Sequence, residues 1–303
     1  MILITGADGF IGKSIAYYLS KKNFKVLKAI RRFRNTSDTI KLDLNEPKDI
    51  ENACKKIDTI IHLAGLNRDQ CDENKKKAFL INTTGTKNLL KQAIKEKIKT
   101  FIFFSTIHVY GKDLKGVITE NHKTIPFDNY AKSNLIAEQH CIEMAKNSEI
   151  SLIIFRVSNV IGLADIEKDS YWKLVANNFC LQAVKNKEIK IKNDGLDKRD
   201  FISINSIEQL IENVVSLKEK KINTNIFNIG SGITISIKDL AHLVKDEYLK
   251  LFRKPIKINY GNIKSENSNF QFNTDKIIKS ELILNSHDIR DNIRDILIFC
   301  NKL

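Results

Sequence analysis

The sequence predicts an α/β fold, in which a doubly wound parallel sheet carries helices on both faces and a smaller lobe follows at the C-terminal end. Two observations predict the sheet: short apolar runs alternate with segments of helical periodicity, and a glycine-rich turn follows the first run. This alternation changes after Leu163, where the pattern is mixed rather than that of a tidy second domain. A length of 303 residues with 42% hydrophobic and 28% charged content excludes a fibrous protein or a disordered tail.

The predicted elements follow one another in order. Met1–Thr5 is an apolar run of strand length, and Ile11–Leu19 has the spacing of an amphipathic helix. Further strand-like runs, separated by helical patterns, are Phe24–Ile30, Ile40–Leu44, Asp58–Ala64, Lys99–Phe104 and Ile150–Arg156. Such alternation is typical of parallel βαβ units.

The pattern after Leu163 is mixed. The spacing predicts one long helix over Tyr171–Val184 and a polar turn at Asn193–Gly195. A strand is predicted at Asn225–Ile229, and a further helix begins at Ser236.

The net charge of +14 raises the question of an acidic partner. Basic residues are spread through helical segments such as Lys75–Lys77 and form no stripe interleaved with aromatics, so nucleic acid is not expected as a partner. No apolar run approaches the roughly 20 residues of a membrane-spanning helix. Met1 leads directly into an apolar run without the basic flank and cleavage site of a signal peptide. We expect a cytoplasmic protein without a membrane partner.

The cysteines are scattered without a C-x-x-C pair, which fits neither a disulfide framework nor a structural zinc site. We expect them to be reduced and mostly buried, and we expect no metal site. They are Cys54, Cys71, Cys141, Cys180 and Cys300.

The turn between the first strand and the first helix carries the strongest functional signal. Gly6, Gly9 and Gly12 permit a tight turn and let a pyrophosphate approach backbone N–H groups, while Phe10 and Ile11 open the helix. The aligned peptide dipoles favour negative charge at this helix end. Because a strand precedes the turn and a helix and second strand follow it, a dinucleotide site is predicted over a plain surface turn.

The residues after the second strand predict the type of dinucleotide. An acidic residue there would bond the ribose hydroxyls, whereas Arg accommodates a 2′-phosphate. The chain has Arg31 and Arg32 there, with Arg34 close behind, so NADP is favoured and NAD is the alternative. Asp43 and Leu44, at the end of the third strand, are expected beside the adenine; a turn or helix N-terminal role is the alternative for Asp43.

Further motifs occur in order along nearly the whole chain. They are His62–Gly65, Asn82–Thr86, Phe103–Gly111, Asn129–Asn134, Arg156–Asn159, Arg199–Phe201 and Asn228–Gly232. Together with the glycine turn they resemble the extended branch of the short-chain dehydrogenase/reductase superfamily, which contains nucleotide-sugar epimerases, dehydratases and ketoreductases. The resemblance implies a Rossmann-type sheet, a C-terminal substrate-binding lobe, a nicotinamide cofactor and a nucleotide-sugar substrate. A homodimer is also expected, because family members often dimerise through two helices.

The resemblance also implies positions within the fold. It places Leu63, Ala64, Gly65, Asn82 and Tyr130 beside the cofactor. Residues 1–165 are expected to form the dinucleotide-binding domain, with 200–245 partly returning to it, and 166–199 and 246–303 to form the substrate lobe.

The chemistry implied is hydride transfer between a sugar carbon and the nicotinamide, coupled to proton transfer at the sugar oxygen. Tyr130 stands where the family has its proton-transferring phenol, whose ordinary pKa of about 10 has to be lowered by nearby positive charge. Thr106 matches the hydroxyl that bonds the sugar oxygen. An aromatic packed on the core at a helix start is the alternative interpretation of Tyr130.

The chain departs from the family pattern at Asn134, where the motif Tyr-x-x-x-Lys has its Lys. Asn can hydrogen-bond a ribose, but it carries no charge to acidify the phenol. Lys132 is no replacement, because two helical residues correspond to a rotation of about 200°. Two hypotheses follow: a working sugar oxidoreductase with altered proton handling, in which the cofactor's positive ring or His108 supplies the charge, and a cofactor-binding relative that has lost catalysis.

His108 follows Thr106 by two residues. If the strand continues, both side chains share one side and His108 can relay a proton; a packed histidine near the pocket is the alternative. In the resembling 4,6-dehydratases the Thr precedes Asp-Glu, the acid and base of water elimination. This chain has Ile107 and His108 instead, so dehydration is disfavoured.

The substrate diphosphate is expected at Asn159 and Arg199, by resemblance and because a guanidinium fork suits phosphate oxygens. A structural pair between Arg199 and Asp200 is the alternative. We predict a nucleotide-sugar 4-epimerase or 4-ketoreductase of the kind that makes surface polysaccharide precursors, with Thr106 binding the sugar oxygen and Tyr130 passing the proton.

Overall fold

A computed structural model describes most of the chain, and its described residues are 1–31, 36–163, 169–217, 224–264, 268–282 and 284–303. They form two compact units. The first unit comprises residues 1–112, 122–157 and 211–228, and the second comprises 113–121, 158–210 and 229–303.

The strands are β1 (Ile2–Thr5), β2 (Val26–Ile30), β3 (Thr39–Lys41), β4 (Thr59–His62), β5 (Thr100–Thr106), β6 (Lys115–Ile118), β7 (Ser151–Val157), β8 (Asn159–Ile161), β9 (Glu188–Asn193), β10 (Lys198–Ser203), β11 (Asn225–Ile229), β12 (Thr234–Ser236), β13 (Lys257–Ile263) and β14 (Asn269–Phe272).

The α-helices are α1 (Phe10–Lys21), α2 (Pro47–Ala53), α3 (Arg68–Glu73), α4 (Lys75–Ala78), α5 (Thr86–Lys95), α6 (Asn129–Lys146), α7 (Val175–Asn186), α8 (Ile204–Ser216), α9 (Ile237–Phe252), α10 (Asp275–Ile278) and α11 (Ile289–Cys300). A π-helical turn, Phe79–Gly85, joins α4 to α5, and 3₁₀ turns cover Ile107–Tyr110 and Asp169–Lys173.

The first unit is built on a seven-stranded sheet with the order β11-β7-β5-β4-β1-β2-β3. The pairings from β7 to β3 are parallel. Every residue of β1 and of β7 is buried, as expected for central strands covered by helices on both faces. The predicted Rossmann-type α/β fold is confirmed.

Alternate strand residues build the core beneath one helical layer of this unit. Leu3, Ile60, Phe101 and Leu152 come from four neighbouring strands and pack in one cluster with Leu89 of α5. Each of these five side chains is fully buried. The apolar runs that predicted the strands therefore supply the core that fixes the ends of β1, β4 and β5 relative to one another.

The second unit has its own core. Helices α7, α9 and α11 pack there with β9 and β10, around side chains such as Cys180, Leu240 and Ile296. Ser236 starts α9 with a capping box: its hydroxyl accepts from Asp239 N, and the Asp239 carboxylate accepts from Ser236 N. The predicted helix from Ser236 thus begins at its cap.

Two element predictions need correction. The single helix predicted over Tyr171–Val184 is a 3₁₀ turn followed by α7, because Leu174 takes an extended conformation between them. The third strand ends at Lys41, earlier than predicted, since the Asp43 carboxylate accepts a hydrogen bond from Asn45 N and turns the chain away from the sheet.

All five cysteines are free and buried, as expected. Lys75–Lys77 are exposed, in agreement with a solvated basic surface. Within the described ranges, no helix is both long and apolar enough to cross a membrane.

Candidate active site

The turn after β1 has no room for side chains at two of its glycines. Gly6 has a φ of +66°, and a Cβ there would lie 2.8 Å from Ala64 N, well inside van der Waals contact. A Cβ at Gly12 would lie 2.3 Å from the Gly6 carbonyl oxygen. The chain therefore passes close to itself at this turn, and glycine is required at both positions.

The helix that follows begins without help from side chains. Gly9 is its N-cap residue, no side-chain hydrogen bond caps the helix, and the first turn, which begins with Phe10 and Ile11, contains no acidic residue. The positive end of the α1 dipole is thus not compensated by a carboxylate of its own first turn. This arrangement fits the pyrophosphate of a dinucleotide, which would bring the negative charge.

We expect Gly6→Ala to weaken dinucleotide binding about tenfold or more, because the added Cβ forces the turn away from the Ala64 backbone. Calorimetric titration with NADP and with NAD measures the loss. Gly116→Ala is the matched control: Gly116 has a similar φ of +70°, yet a Cβ there meets nothing within 4 Å. Equal affinity in both variants would show that the close approach at Gly6 does not shape the site.

The loop after β4 is fixed to the end of β1 by hydrogen bonds. The Thr5 hydroxyl accepts from Leu63 N at 3.2 Å and from Ala64 N at 3.1 Å. His62 lies between Thr5 and Thr86, with ring nitrogens 2.7 and 2.8 Å from their hydroxyls. Burial lowers the pKa of His62 to about 3, so its ring is neutral and structural.

Asn82 fastens the same loop to α6. Its side-chain oxygen accepts from Leu66 N at 2.7 Å, and its Nδ2 donates to Leu66 O and to the Ser133 hydroxyl, each at 3.2 Å. Gly65 passes so close that a Cβ would lie 3.1 Å from the Asn82 oxygen. Asn82 itself lies inside the π-helical turn.

Thr106 and Tyr130 bring two hydroxyls together. Thr106 ends β5 and is buried, and Tyr130 lies in the first turn of α6, whose N-cap Asp128 accepts from Ala131 N at 2.7 Å. Burial raises the pKa of Tyr130, and a hydrogen bond with the Thr106 side chain opposes that rise. The pair is suited to handling one proton at a substrate oxygen that reaches both hydroxyls.

Asn134 lies one helical turn beyond Tyr130, where its Nδ2 donates to the Tyr130 carbonyl at 2.9 Å. The side chain is 7% exposed, whereas Lys132 points to solvent, as its helical phase predicts. Position 134 therefore offers a neutral amide, held by its own helix, in place of a cation.

One pocket collects residues from several predicted motifs, at the C-terminal ends of β4 and β5, where ligands bind in such sheets. Its lining residues are Leu63, Ala64, Gly65, Leu66, Asn67, Asn82, Thr86, Phe103, Phe104, Tyr130 and Asn134. The loop after β4, the π-helical turn and the start of α6 thus meet around one space.

His108 lies near Tyr130, but it does not lie on a continuation of β5. The strand does not continue: a 3₁₀ turn follows Thr106, whose hydroxyl accepts from His108 N at 3.2 Å. The expectation that His108 shares the side of Thr106 along a strand is therefore wrong. Its ring instead meets the rings of Phe127 and Tyr130 at a steep angle, with centroids 6.3 and 6.4 Å away.

The residues predicted to surround the adenosine of the dinucleotide differ in exposure. Arg31 is exposed directly after β2, whereas Arg32 and Arg34 lie outside the described residues. Leu44 is buried, and a Cβ on Gly85 would lie 2.8 Å from it. Asp43 takes the turn position described above.

Asn159 and Arg199 belong to the second unit. Asn159 donates from its amide to the Asp200 carbonyl at 2.9 Å, across the pairing of β8 with β10, and Arg199 is exposed. The Asp200 carboxylate is buried and accepts from the main chain and the hydroxyl of Ser231. Burial raises the pKa of Asp200 to about 6.

Sequence reasoning missed a buried charged network beside the two hydroxyls. Arg156 donates to the Glu138 carboxylate through Nε and Nη2 and to the Tyr110 hydroxyl through Nη1. Tyr110 donates to Asn228 at 2.6 Å, and the Ser105 hydroxyl donates to Glu138. The sequence did contain a signal for Glu138. It follows Tyr130 by eight residues, a spacing that places both residues toward the buried side of α6.

A glycine turn of this kind on a parallel sheet, with a paired tyrosine and threonine beside it, defines a dinucleotide-dependent enzyme of the oxidoreductase type. The sequence profile of the NAD dependent epimerase/dehydratase family matches residues 2–230. The chain belongs to this family, which confirms the family predicted from its motifs.

Two known proteins are similar to this chain in sequence. The chain is 30% identical over 253 residues to the UDP-glucose 4-epimerase of Vibrio cholerae, covering 79% of this chain and 73% of that one. It is 30% identical over 252 residues to the GDP-6-deoxy-D-talose 4-dehydrogenase of Aggregatibacter actinomycetemcomitans, covering 80% and 78%.

Solved structures share the fold. A UDP-glucuronic acid 4-epimerase from Bacillus cereus, in complex with UDP-glucuronic acid and NAD, aligns with a TM-score of 0.83 at 22% identity over 99% of each chain. RMD from Pseudomonas aeruginosa, complexed with NADPH, aligns with a TM-score of 0.81 at 21% identity, also over 99% of each.

Proposed function

We propose that this chain is an NAD(P)-dependent enzyme that modifies a nucleotide-linked sugar at C4, as a 4-epimerase or a 4-ketoreductase. The observation that carries the proposal is that Tyr130 lines the pocket beside the loop after β4, near the end of β5, where Thr106 lowers the pKa of Tyr130 through its side chain. The two relatives described above act at the same sugar carbon by name, one as an epimerase and one as a dehydrogenase. Nothing in the described part of the chain favours a non-catalytic role.

A 4,6-dehydratase is disfavoured, although one relative carries that name. Water elimination needs an acid and a base next to the reacting carbon. Thr106 is followed here by Ile107, which is buried, and by His108, which is packed among aromatic rings. Neither residue is a carboxylate.

The residues present fit a nicotinamide dinucleotide. Gly6 and Gly12 let the chain pass close to itself at the start of α1, where the pyrophosphate is proposed to bind. Ala64 and Asn82 are proposed to hold the nicotinamide side, and Arg31 is proposed to meet a 2′-phosphate, so NADP is preferred with NAD as the alternative. When bound, the dinucleotide supplies a carrier that takes a hydride from the sugar carbon or delivers one to it.

The proposed roles of the chain's own residues follow from their positions. Tyr130 takes the proton from the sugar hydroxyl when the carbon is oxidised and returns it when the ketone is reduced. Thr106 hydrogen-bonds the same sugar oxygen and Tyr130, so that it orients both. Arg199 and Asn159 are proposed to bind the diphosphate, and the enzyme is proposed to be a cytoplasmic homodimer.

A screen of UDP-, dTDP- and GDP-linked sugars tests the proposal, with NMR to follow the sugar product and absorbance to follow the reduced cofactor. We expect one sugar to change its configuration at C4 or a 4-keto sugar to be reduced. Conversion without net cofactor consumption identifies an epimerase, and stoichiometric oxidation of reduced cofactor identifies a ketoreductase. Binding of neither nicotinamide dinucleotide in calorimetry would overturn the proposal.

A further inference from the structure

His62 is fully buried and is held by a hydrogen bond at each of its ring nitrogens. It ends β4, and its ring lies beside the rings of Phe101 and Phe103, with centroids 5.7 Å away in both cases. Nδ1 lies 2.7 Å from the Thr5 hydroxyl, and Nε2 lies 2.8 Å from the Thr86 hydroxyl. The two aromatic neighbours hold the ring, so each nitrogen keeps its own partner.

The contacts of Thr5 determine which nitrogen of His62 carries the proton. The Thr5 hydroxyl already accepts from Leu63 N at 3.2 Å and from Ala64 N at 3.1 Å. A hydroxyl has two acceptor positions and one proton to donate, so the proton of Thr5 is directed to Nδ1 of His62. Nδ1 is therefore an acceptor and carries no proton.

The contacts of Thr86 lead independently to the same tautomer. The Thr86 hydroxyl donates its proton to the Asn82 carbonyl oxygen at 2.7 Å, because a carbonyl can only accept. In its contact with His62 the Thr86 hydroxyl is therefore the acceptor, and Nε2 donates. Burial lowers the pKa of His62 to about 3, in agreement with a neutral ring that has its proton on Nε2.

We propose that His62, as the neutral Nε2–H tautomer, is the positioning residue that fixes the loop after β4 for dinucleotide binding. This inference rests on the proposed function, in which the pocket holds a nicotinamide dinucleotide. The hydrogen bonds all point in one direction and join the loop to the π-helical turn. In order, the groups that they connect belong to Leu63 and Ala64, Thr5, His62, Thr86 and Asn82.

The residues at the two ends of these hydrogen bonds line the pocket. They are Leu63, Ala64, Asn82 and Thr86. Without an acceptor at Nδ1 and a donor at Nε2, buried hydroxyls on both sides of the ring would lose a partner, which is costly. The loop would then be free to move, and a dinucleotide would have to order it on binding. His62 thus raises affinity by fixing the loop before the ligand arrives.

The tautomer of His62 tests the inference in the ligand-free protein. Histidine is labelled with ¹⁵N, and the His62 signals are assigned as those missing from His62→Gln. Long-range ¹H–¹⁵N correlation spectra at neutral pH distinguish a protonated ring nitrogen from an unprotonated one. We expect a proton on Nε2 and none on Nδ1. A proton on Nδ1, with or without one on Nε2, overturns the inference.

Two substitutions separate the hydrogen bonds of His62 from its packing. His62→Phe keeps a ring beside Phe101 and Phe103 but removes both hydrogen bonds, whereas His62→Gln keeps one acceptor and one donor. Hydrogen exchange at the amides of Leu63 and Ala64 should be about tenfold faster in His62→Phe and within about twofold of the unchanged rate in His62→Gln.

Calorimetric titration with NADP and with NAD measures the consequence for binding. The affinity should fall about three- to tenfold in His62→Phe and stay within about twofold in His62→Gln. If His62→Phe does not fold, Thr86→Val takes its place in the exchange measurement, because it removes only the partner of Nε2. Unchanged exchange in whichever of the two variants is used overturns the inference.

Leu152→Ala is the control for a loss of stability alone. It opens a cavity in the same core, on β7, and removes none of these hydrogen bonds. Its midpoint of urea-induced unfolding should fall by an amount similar to that of His62→Phe, while its dinucleotide affinity stays close to that of the unchanged protein. Equal losses of affinity in Leu152→Ala and His62→Phe would overturn the inference.

The same measurements distinguish failure of the proposed function from failure of the inference. If neither dinucleotide binds the unchanged protein while the tautomer and the amide exchange follow the expected order, the proposed function fails and His62 still fixes the loop. If a dinucleotide binds the unchanged protein and His62→Phe equally well, the proposed function stands and the inference alone is overturned.

Discussion

Tyr130→Phe is expected to lower turnover of the sugar nucleotide by about 10²- to 10⁴-fold while dinucleotide affinity stays close to that of the unchanged protein. The loss corresponds to the usual contribution of a positioned general acid or base. Phe retains the ring and its packing, so the substitution removes only the hydroxyl that pairs with Thr106. Single-turnover kinetics and calorimetric titration with the dinucleotide measure the two effects separately.

Tyr17→Phe is the matched control, because it removes the same hydroxyl from a tyrosine that is 67% exposed on α1. Its turnover should equal that of the unchanged protein. Undiminished turnover in Tyr130→Phe would remove the phenol from the proposed mechanism. A loss of dinucleotide affinity equal to the loss of turnover would instead make Tyr130 a cofactor contact.

The sheet and the glycine turn were predictable because their causes are local. A run such as Ile2–Thr5 is buried on both faces and leaves an apolar signature of strand length, and the steric demands at Gly6 and Gly12 admit only one residue type. The order of the motifs then places Tyr130 and Asn134 one helical turn apart. These features can be predicted without knowing which residues distant in sequence come into contact.

The rest depends on pairings that no local pattern encodes. His108 would share the side of Thr106 if the strand continued, yet the Thr106 hydroxyl accepts from the His108 N–H and the chain turns. Asn82 bonds Leu66 and Ser133, which are far from it in sequence, within a π-helical turn that periodicity does not reveal.

Glu138→Gln is expected to lower the free energy of unfolding by about 3–5 kcal/mol, because it leaves the buried Arg156 guanidinium without its counter-charge. Burial alone would lower the pKa of Arg156, but the hydrogen bonds and charge of Glu138 outweigh it and raise that pKa, so the guanidinium stays charged. Urea-induced unfolding, followed by circular dichroism, measures the change.

Asp275→Asn is the control, because it breaks an exposed ion pair with Lys279 and should cost less than about 1 kcal/mol. The double variant Glu138→Gln, Arg156→Met should cost less than the sum of its single variants, since the second change removes the charge that the first leaves unpaired. If the losses in the free energy of unfolding were additive in the double variant, or equal in Glu138→Gln and Asp275→Asn, Glu138 and Arg156 would not form a stabilising buried ion pair.

The same pair links β5 and α6, the two elements that carry the hydroxyls proposed to act on the sugar. Glu138 is bound by Ser105, the residue before Thr106 on β5, and lies two helical turns beyond Tyr130 on α6. Loosening it should let Thr106 and Tyr130 move apart. In folded Glu138→Gln protein we therefore expect the loss of activity to appear in kcat, where the positioning of the two hydroxyls matters, and to leave KM nearly unchanged.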